Sequence, residues 1–255
     1  MIKISGFSSS ESNREKLNLI TGRLKEKDPT IWGVKPAAEA ANRLDWIDLP
    51  RTSRDLLPQL DALSAWSREL GHQRFILCGM GGSSLAPEVI ALNFGKNLIV
   101  LDSTDPEQIA EVVARKLNDA CIIISSKSGT TIETKSQFAF FMNEIRSQGL
   151  EPRNHFVIVT DPGSELEQTA NASNLKLILA NPKVGGRFSA LSAFGLTPAA
   201  LLGVDISILL DDAQDASLSF ADPDSDPVKV AAALYESNFP EIFDKDSLPG
   251  LGDWI

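Results

Sequence analysis

The chain has 255 residues, 43% of them hydrophobic, enough apolar material for one large core or a core with a sizeable extension. Thirty-four acidic against 24 basic residues give a formal charge of -10 with no basic block, which excludes nucleic acid and anionic membranes as natural partners. Two cysteines, Cys78 and Cys121, exclude a disulfide framework; each lies near the end of an apolar run and reads as a reduced, inert core thiol. No basic-then-apolar leader is visible and no apolar run reaches the ~18 residues of a membrane helix, so a cytoplasmic location is expected.

Between Ser12 and Lys27 the apolar positions Leu17, Ile20 and Leu24 recur at helical spacing, and Pro29 follows, which predicts a first helix. A second is expected from an N-cap at Ser53 through Leu56, Leu60, Leu63, Trp66 and Leu70 to a stop at Gly71. These two read as an N-terminal helical extension, residues 1–71. The pattern then changes to short apolar runs: "RFILC" from Arg74, "NLIVLD" from Asn97, "ACIIIS" from Ala120, "HFVIVT" from His155 and "LKLILA" from Leu175. Helical patterns at 85–94, 105–117, 132–148 and 163–171 separate them, each long enough for a crossover. The expected fold class is α/β, a doubly wound five-stranded parallel sheet over residues 72–204. Two further helical stretches, at about 205–217 and 226–238, belong to a last segment, 205–255.

The first strand empties into "GMGGSSLAPEVI", where Gly79, Gly81 and Gly82 let backbone N–H groups approach an anion at a helix start. A dinucleotide fingerprint needs Gly or Ala where Ser84 stands, although Asp102 lies where the ribose-binding acid would; neither glycine loop supplies a Walker A lysine. The third strand runs into "SSKSGTT". Ser125, Ser126, Ser128, Thr130 and Thr131 offer hydroxyls there, Gly129 permits close approach, and Lys127 is the one cation before a helix opens near Ile132. Such a cup suits a phosphate monoester. In the flavodoxin-like strand order 2-1-3-4-5 both loops line the crevice outside the carboxyl ends of the first and third strands. A third segment, "KVGGRFSALSAFGL", brings Gly185 and Gly186 to a helix start with Arg187 beside them, placed to meet an anion or an oxyanion.

Taken in order, "GMGGSSLAP", "SKSGTTIET" and "VGGRFSALSAFGL" resemble the glucose-6-phosphate isomerase family, whose first sugar-isomerase (SIS) domain binds the substrate phosphate. "KDPTIWG" is similar to isomerases found alone or fused to transaldolase. The resemblance implies that Gly82, Ser83, Ser126, Lys127, Ser128 and Thr131 hold the sugar phosphate. It implies that Arg187 stabilises the enediolate and that Glu133 lies near the reacting end of the sugar. Gly129 departs from an aromatic in many animal members and implies the bacterial branch.

The family reaction interconverts glucose 6-phosphate and fructose 6-phosphate and needs a carboxylate base. That glutamate follows a segment resembling "GLGDWI", on which this chain ends, so the chain is expected to lack it. The same holds for a ring-opening histidine from across a dimer interface, a C-terminal lysine and a second SIS domain. The full-length parent is expected to be a homodimer. His72 and His155 do not match that histidine by position and read as structural. The alternative is a non-catalytic SIS module that senses a phosphosugar. No metal or other cofactor is expected: Asp222, Asp224 and Asp226 lack the Gly and Glu of a calcium loop, and no zinc spacing occurs.

Overall fold

The computed structural model describes residues 10–220 together with 222, 224, 225, 227–229, 231 and 232. Five parallel strands form one sheet: β1 (Arg74–Gly79), β2 (Ile99–Leu101), β3 (Ala120–Ser125), β4 (Phe156–Thr160) and β5 (Lys176–Leu179). Their order is β2-β1-β3-β4-β5, the doubly wound arrangement expected. Among the described residues eight helices of at least two turns accompany it: α1 (Glu11–Lys25), α2 (Leu57–Glu69), α3 (Leu85–Asn93), α4 (Pro106–Val113), α5 (Ile132–Ser147), α6 (Glu165–Ala172), α7 (Ala193–Leu201) and α8 (Ile206–Ser219).

Every residue of β3 and β4 is buried, the consequence of covering a parallel sheet on both faces. Side chains alternate between two cores. Ile76, Cys78, Ile122, Ile124 and Ile158 meet Val112 of α4, Phe141 and Ile145 of α5, and Leu166 of α6. Leu77, Cys121, Ile123 and Val157 turn the other way onto Leu63 of α2 and Phe194 of α7. Behind that face Leu60, Leu196, Ala199 and Leu210 form a further apolar layer under α8. Both thiols are sealed inside the sheet, and burial raises their pKa, which leaves them unreactive.

Two local expectations are corrected. The predicted helix from Ser53 is two pieces, a 3-10 turn at Ser53–Leu56 and α2, which starts with Pro58 in its first turn; a separate short turn, Leu49–Thr52, precedes them. Ser53 has helical backbone angles rather than the extended ones of an N-cap. It is buried and donates its hydroxyl to the Leu191 carbonyl at 2.5 Å, tying this segment to the one before α7. Likewise Gly185 and Gly186 do not open a helix; Gly186–Phe188 is a 3-10 turn, and α7 begins at Ala193 behind the Ser192 cap. Of the stretch predicted at 226–238, residues 227–229, 231 and 232 are helical and the rest lies outside the described residues. Among the described residues no helix is long and apolar enough to cross a membrane.

Candidate functional site: an anion cleft at the strand switch point

β1 and β3 are neighbours, with Gly79 in register with Ser125 at their carboxyl ends. Their following helices go to opposite faces: α3 packs with α7, whereas α5 lies on the core face built by Phe141 and Ile145. A crevice must open between two connections that part in this way. The structure has a cleft of about 420 Å³ there, lined from the first loop by Met80, Gly82 and Ser83 and from the second by Ser125, Ser126, Lys127, Ser128 and Thr131. Asp161, Gly186 and Arg43 complete its wall. The six residues expected to hold phosphate are thus brought together.

The hydroxyl loop is ordered by its own short bonds. Ser126 Oγ accepts from the Gly129 amide at 3.2 Å and lies 3.2 Å from Thr131 Oγ1. Ser128 Oγ is 2.8 Å from Thr130 Oγ1, and Thr130 stays exposed outside the cleft wall, so the hydroxyl predicted there supports Ser128 instead. Gly129 has φ +70, and a Cβ on it would lie 3.0 Å from the Ser164 Cβ, so two constraints require glycine. Among the described residues the backbone N–H groups of Gly82, Lys127 and Ser128 have no acceptor. These amides belong to residues that line the cleft and have no acceptor among the described residues, a condition that suits anion binding.

Gly82 has a reason the sequence did not reveal. A Cβ there would sit 2.2 Å from the Gly186 carbonyl oxygen, so the first loop and the turn before Arg187 pack backbone to backbone. Ser189 Oγ bridges them, 2.7 Å from the Gly186 carbonyl oxygen and 3.2 Å from that of Gly82, with one proton to share between the two. Ser84 points inward, fully buried, and donates to the Gly81 carbonyl, so of the paired hydroxyls only Ser83 reaches the cleft.

Lys127 is held more firmly than its place in the loop implied. Its Nζ lies 2.5 Å from Asp161 Oδ2 and donates to the Pro182 carbonyl at 3.2 Å. Asp161 directly follows β4, one strand beyond the cup, a position that could have signalled it. Arg43 carries no such signal, since it comes from the helical extension.

Arg187 is exposed in the turn beside Gly186, without a hydrogen bond or ion pair to the described residues. Glu133 sits half-buried in the first turn of α5 and does not line the cleft. Asp102 is exposed past β2 and also lies outside the lining, which removes the acid a dinucleotide reading needs. His72 and His155 are buried at the opposite, amino-terminal end of the sheet, their ring centroids 5.6 Å apart.

The fold defines a class, the doubly wound α/β domain of the SIS type. The model of the phosphoglucose isomerase family matches residues 64–247, and the chain belongs to that family. It is 33% identical over 208 residues to a glucose-6-phosphate isomerase from Thermus thermophilus, covering 77% of this chain and 49% of that protein. A glucose-6-phosphate isomerase from Synechococcus is 38% identical over 141 residues, 52% of this chain and 26% of the relative. The crystal structure of a hypothetical protein from Thermus thermophilus superposes with a TM-score of 0.74 at 29% identity, covering 95% of this chain and 59% of the other. The fold is shared with a glucose-6-phosphate isomerase from Chlamydia trachomatis, TM-score 0.67 at 21% identity, over 88% of this chain and 49% of that one. The chain spans about half the length of the Thermus isomerase.

Proposed function

We propose that this chain carries the phosphosugar-binding portion of an aldose–ketose isomerase that interconverts glucose 6-phosphate and fructose 6-phosphate. The observation that carries the proposal is the convergence of Gly82, Ser83, Ser126, Lys127, Ser128 and Thr131 on one donor-rich cleft at the switch point. In this reading the hydroxyls and free amides take the phosphate oxygens, and the sugar extends toward the turn at Gly186. Arg187 stabilises the enediolate from that turn, and Glu133 serves near the reacting end of the sugar.

Moving a proton between C2 and C1 requires a general base. The carboxylate lining the cleft, Asp161, is engaged by Lys127, so the base is assigned outside the residues that line it. On this reading the described residues bind the sugar phosphate without turning it over. The reading keeps the division into a helical extension (1–71), an SIS domain (72–204) and a segment leading to a second SIS domain (205–255). It carries a homodimeric parent in the cytoplasm.

The test is calorimetric titration with glucose 6-phosphate, with glucose and inorganic phosphate as controls. Saturable heat that requires both sugar and phosphate is expected. Glucose binding as tightly as its phosphate ester would overturn the proposal.

A further inference from the structure

The charge in the cleft leads to a residue the motifs do not contain. Among the described residues two cations and one carboxylate line it: Arg43, Lys127 and Asp161. Lys127 and Asp161 form an ion pair at 2.5 Å with only 22% and 16% of their side chains exposed, so the lysine's charge is largely compensated within the wall. A phosphate monoester brings about 1.5 to 2 negative charges near neutral pH. Hydroxyls and amides solvate that charge, but a cation is needed to balance it.

We infer that Arg43 is the residue that supplies this charge, donating its guanidinium to the phosphate from the helical extension. The inference rests on the phosphosugar reading above. Arg43 uses its Nε to donate to Glu39 Oε1 at 2.8 Å, and no other hydrogen bond of its guanidinium occurs among the described residues. The two terminal NH2 groups keep their donors, in the fork geometry that suits phosphate oxygens. Its pair with Glu39 is exposed on both sides, 45% and 71%, and exposed pairs of this kind compete weakly with a ligand.

The backbone around Arg43 is held against the same turn that carries Gly186 and Arg187. Leu44, the next residue, is buried and forms an antiparallel bridge with Val184. The Asp45 amide donates to the Lys183 carbonyl at 3.3 Å, and its carboxylate accepts from Lys27 Nζ at 2.8 Å and Asn181 Nδ2 at 2.9 Å. Burial works against the charge on Asp45, but Lys27 and Asn181 outweigh it and hold its carboxyl below the usual carboxylate range. Trp46 stacks on Phe188 with centroids 5.1 Å apart and planes 17° from parallel. A clamp of three consecutive residues thus orients Arg43 at the mouth of the cleft.

The experiment titrates the 255-residue chain and its Arg43→Met and Arg43→Lys variants with glucose 6-phosphate and with inorganic phosphate, each at low and raised salt. Arg43→Met is expected to weaken glucose 6-phosphate about tenfold to a hundredfold and to flatten the salt dependence. Arg43→Lys is expected to recover part of both. Because Arg43 is exposed, thermal unfolding should be unchanged, which separates lost charge from lost fold. Glucose 6-phosphate binding within about twofold of wild type in Arg43→Met would overturn the Arg43 assignment and leave the phosphosugar reading standing. Wild-type binding of inorganic phosphate but not glucose 6-phosphate would overturn the phosphosugar reading, with Arg43 then judged on the phosphate arm by the same ratio. No binding of either ligand by the wild type overturns both.

Discussion

At the carboxyl ends of β1 and β3, Ser126, Ser128 and Thr131 line an open cleft beside free backbone amides; at the amino ends, equally polar side chains are buried or half-buried in contacts within the protein. There His72 Nδ1 lies 3.1 Å from Ser67 Oγ, His155 Nδ1 lies 2.8 Å from the Ala120 carbonyl, and Arg74 donates to Asp119 at 2.8 Å. Side-chain chemistry alone would make the histidine end the more interesting one. The difference lies in what the groups border: at the open end hydroxyls and amides without acceptors belong to residues that line a cleft, whereas the contacts at the closed end are enclosed within the fold. That distinction turns each end of the sheet into a different experiment.

The largest effect should come from the open end. Changing Ser128 and Thr131 together to alanine removes two donors, each worth about 1.5–3 kcal/mol toward a charged oxygen, so phosphosugar affinity should fall more than a hundredfold. Thermal unfolding should hardly move, since Ser128 is exposed and, among the described residues, both hydroxyls bond only within their own loop. Unchanged affinity in the folded double variant would remove the cup from the site.

A mixed effect is expected at Gly82. Alanine there would press its Cβ on the Gly186 carbonyl, with no flexible side chain to yield. Moving the turn at Gly186 should destabilise the fold by about 3 kcal/mol and weaken ligand binding as well. Urea unfolding and titration of one sample would check this; wild-type values in both would mean the two backbones slide apart freely.

The smallest effect belongs to the closed end. Burial first, and the neighbouring His155 second, lower the His72 pKa from 6.5 to about 4. Between those values the unfolded chain binds a proton that the folded chain refuses. This contribution to stability is therefore complete above about pH 6.5 and is lost as pH falls toward about 4, by roughly 1–3 kcal/mol. Urea unfolding of wild type and His72→Gln across that range should show a shallower pH dependence in the variant. Phosphosugar binding at neutral pH should be the same in both, and a difference would tie the closed end to the cleft.

Much was legible in the sequence because it was local. The runs at Arg74, Ala120 and His155 are apolar without alternation because both faces of those strands are covered, so their parallel sheet could be read directly. Gly71 and Gly129 stand at positive φ, and the loop hydroxyls follow β3 because a strand end and a helix start must meet there. Tertiary structure decided the rest. Ser53 has the chemistry of a cap, but Leu191 from 138 positions away takes its hydroxyl. Lys127 finds Asp161 across 34 residues, and Gly82 is required by Gly186 rather than by a ligand. Arg43 reaches the cleft because Leu44, Asp45 and Trp46 dock on residues 181–188. Periodicity and turn chemistry are written in neighbouring residues and can be read from them; the partner of a charge, or the atom that a Cβ would strike, exists only once distant segments are packed together.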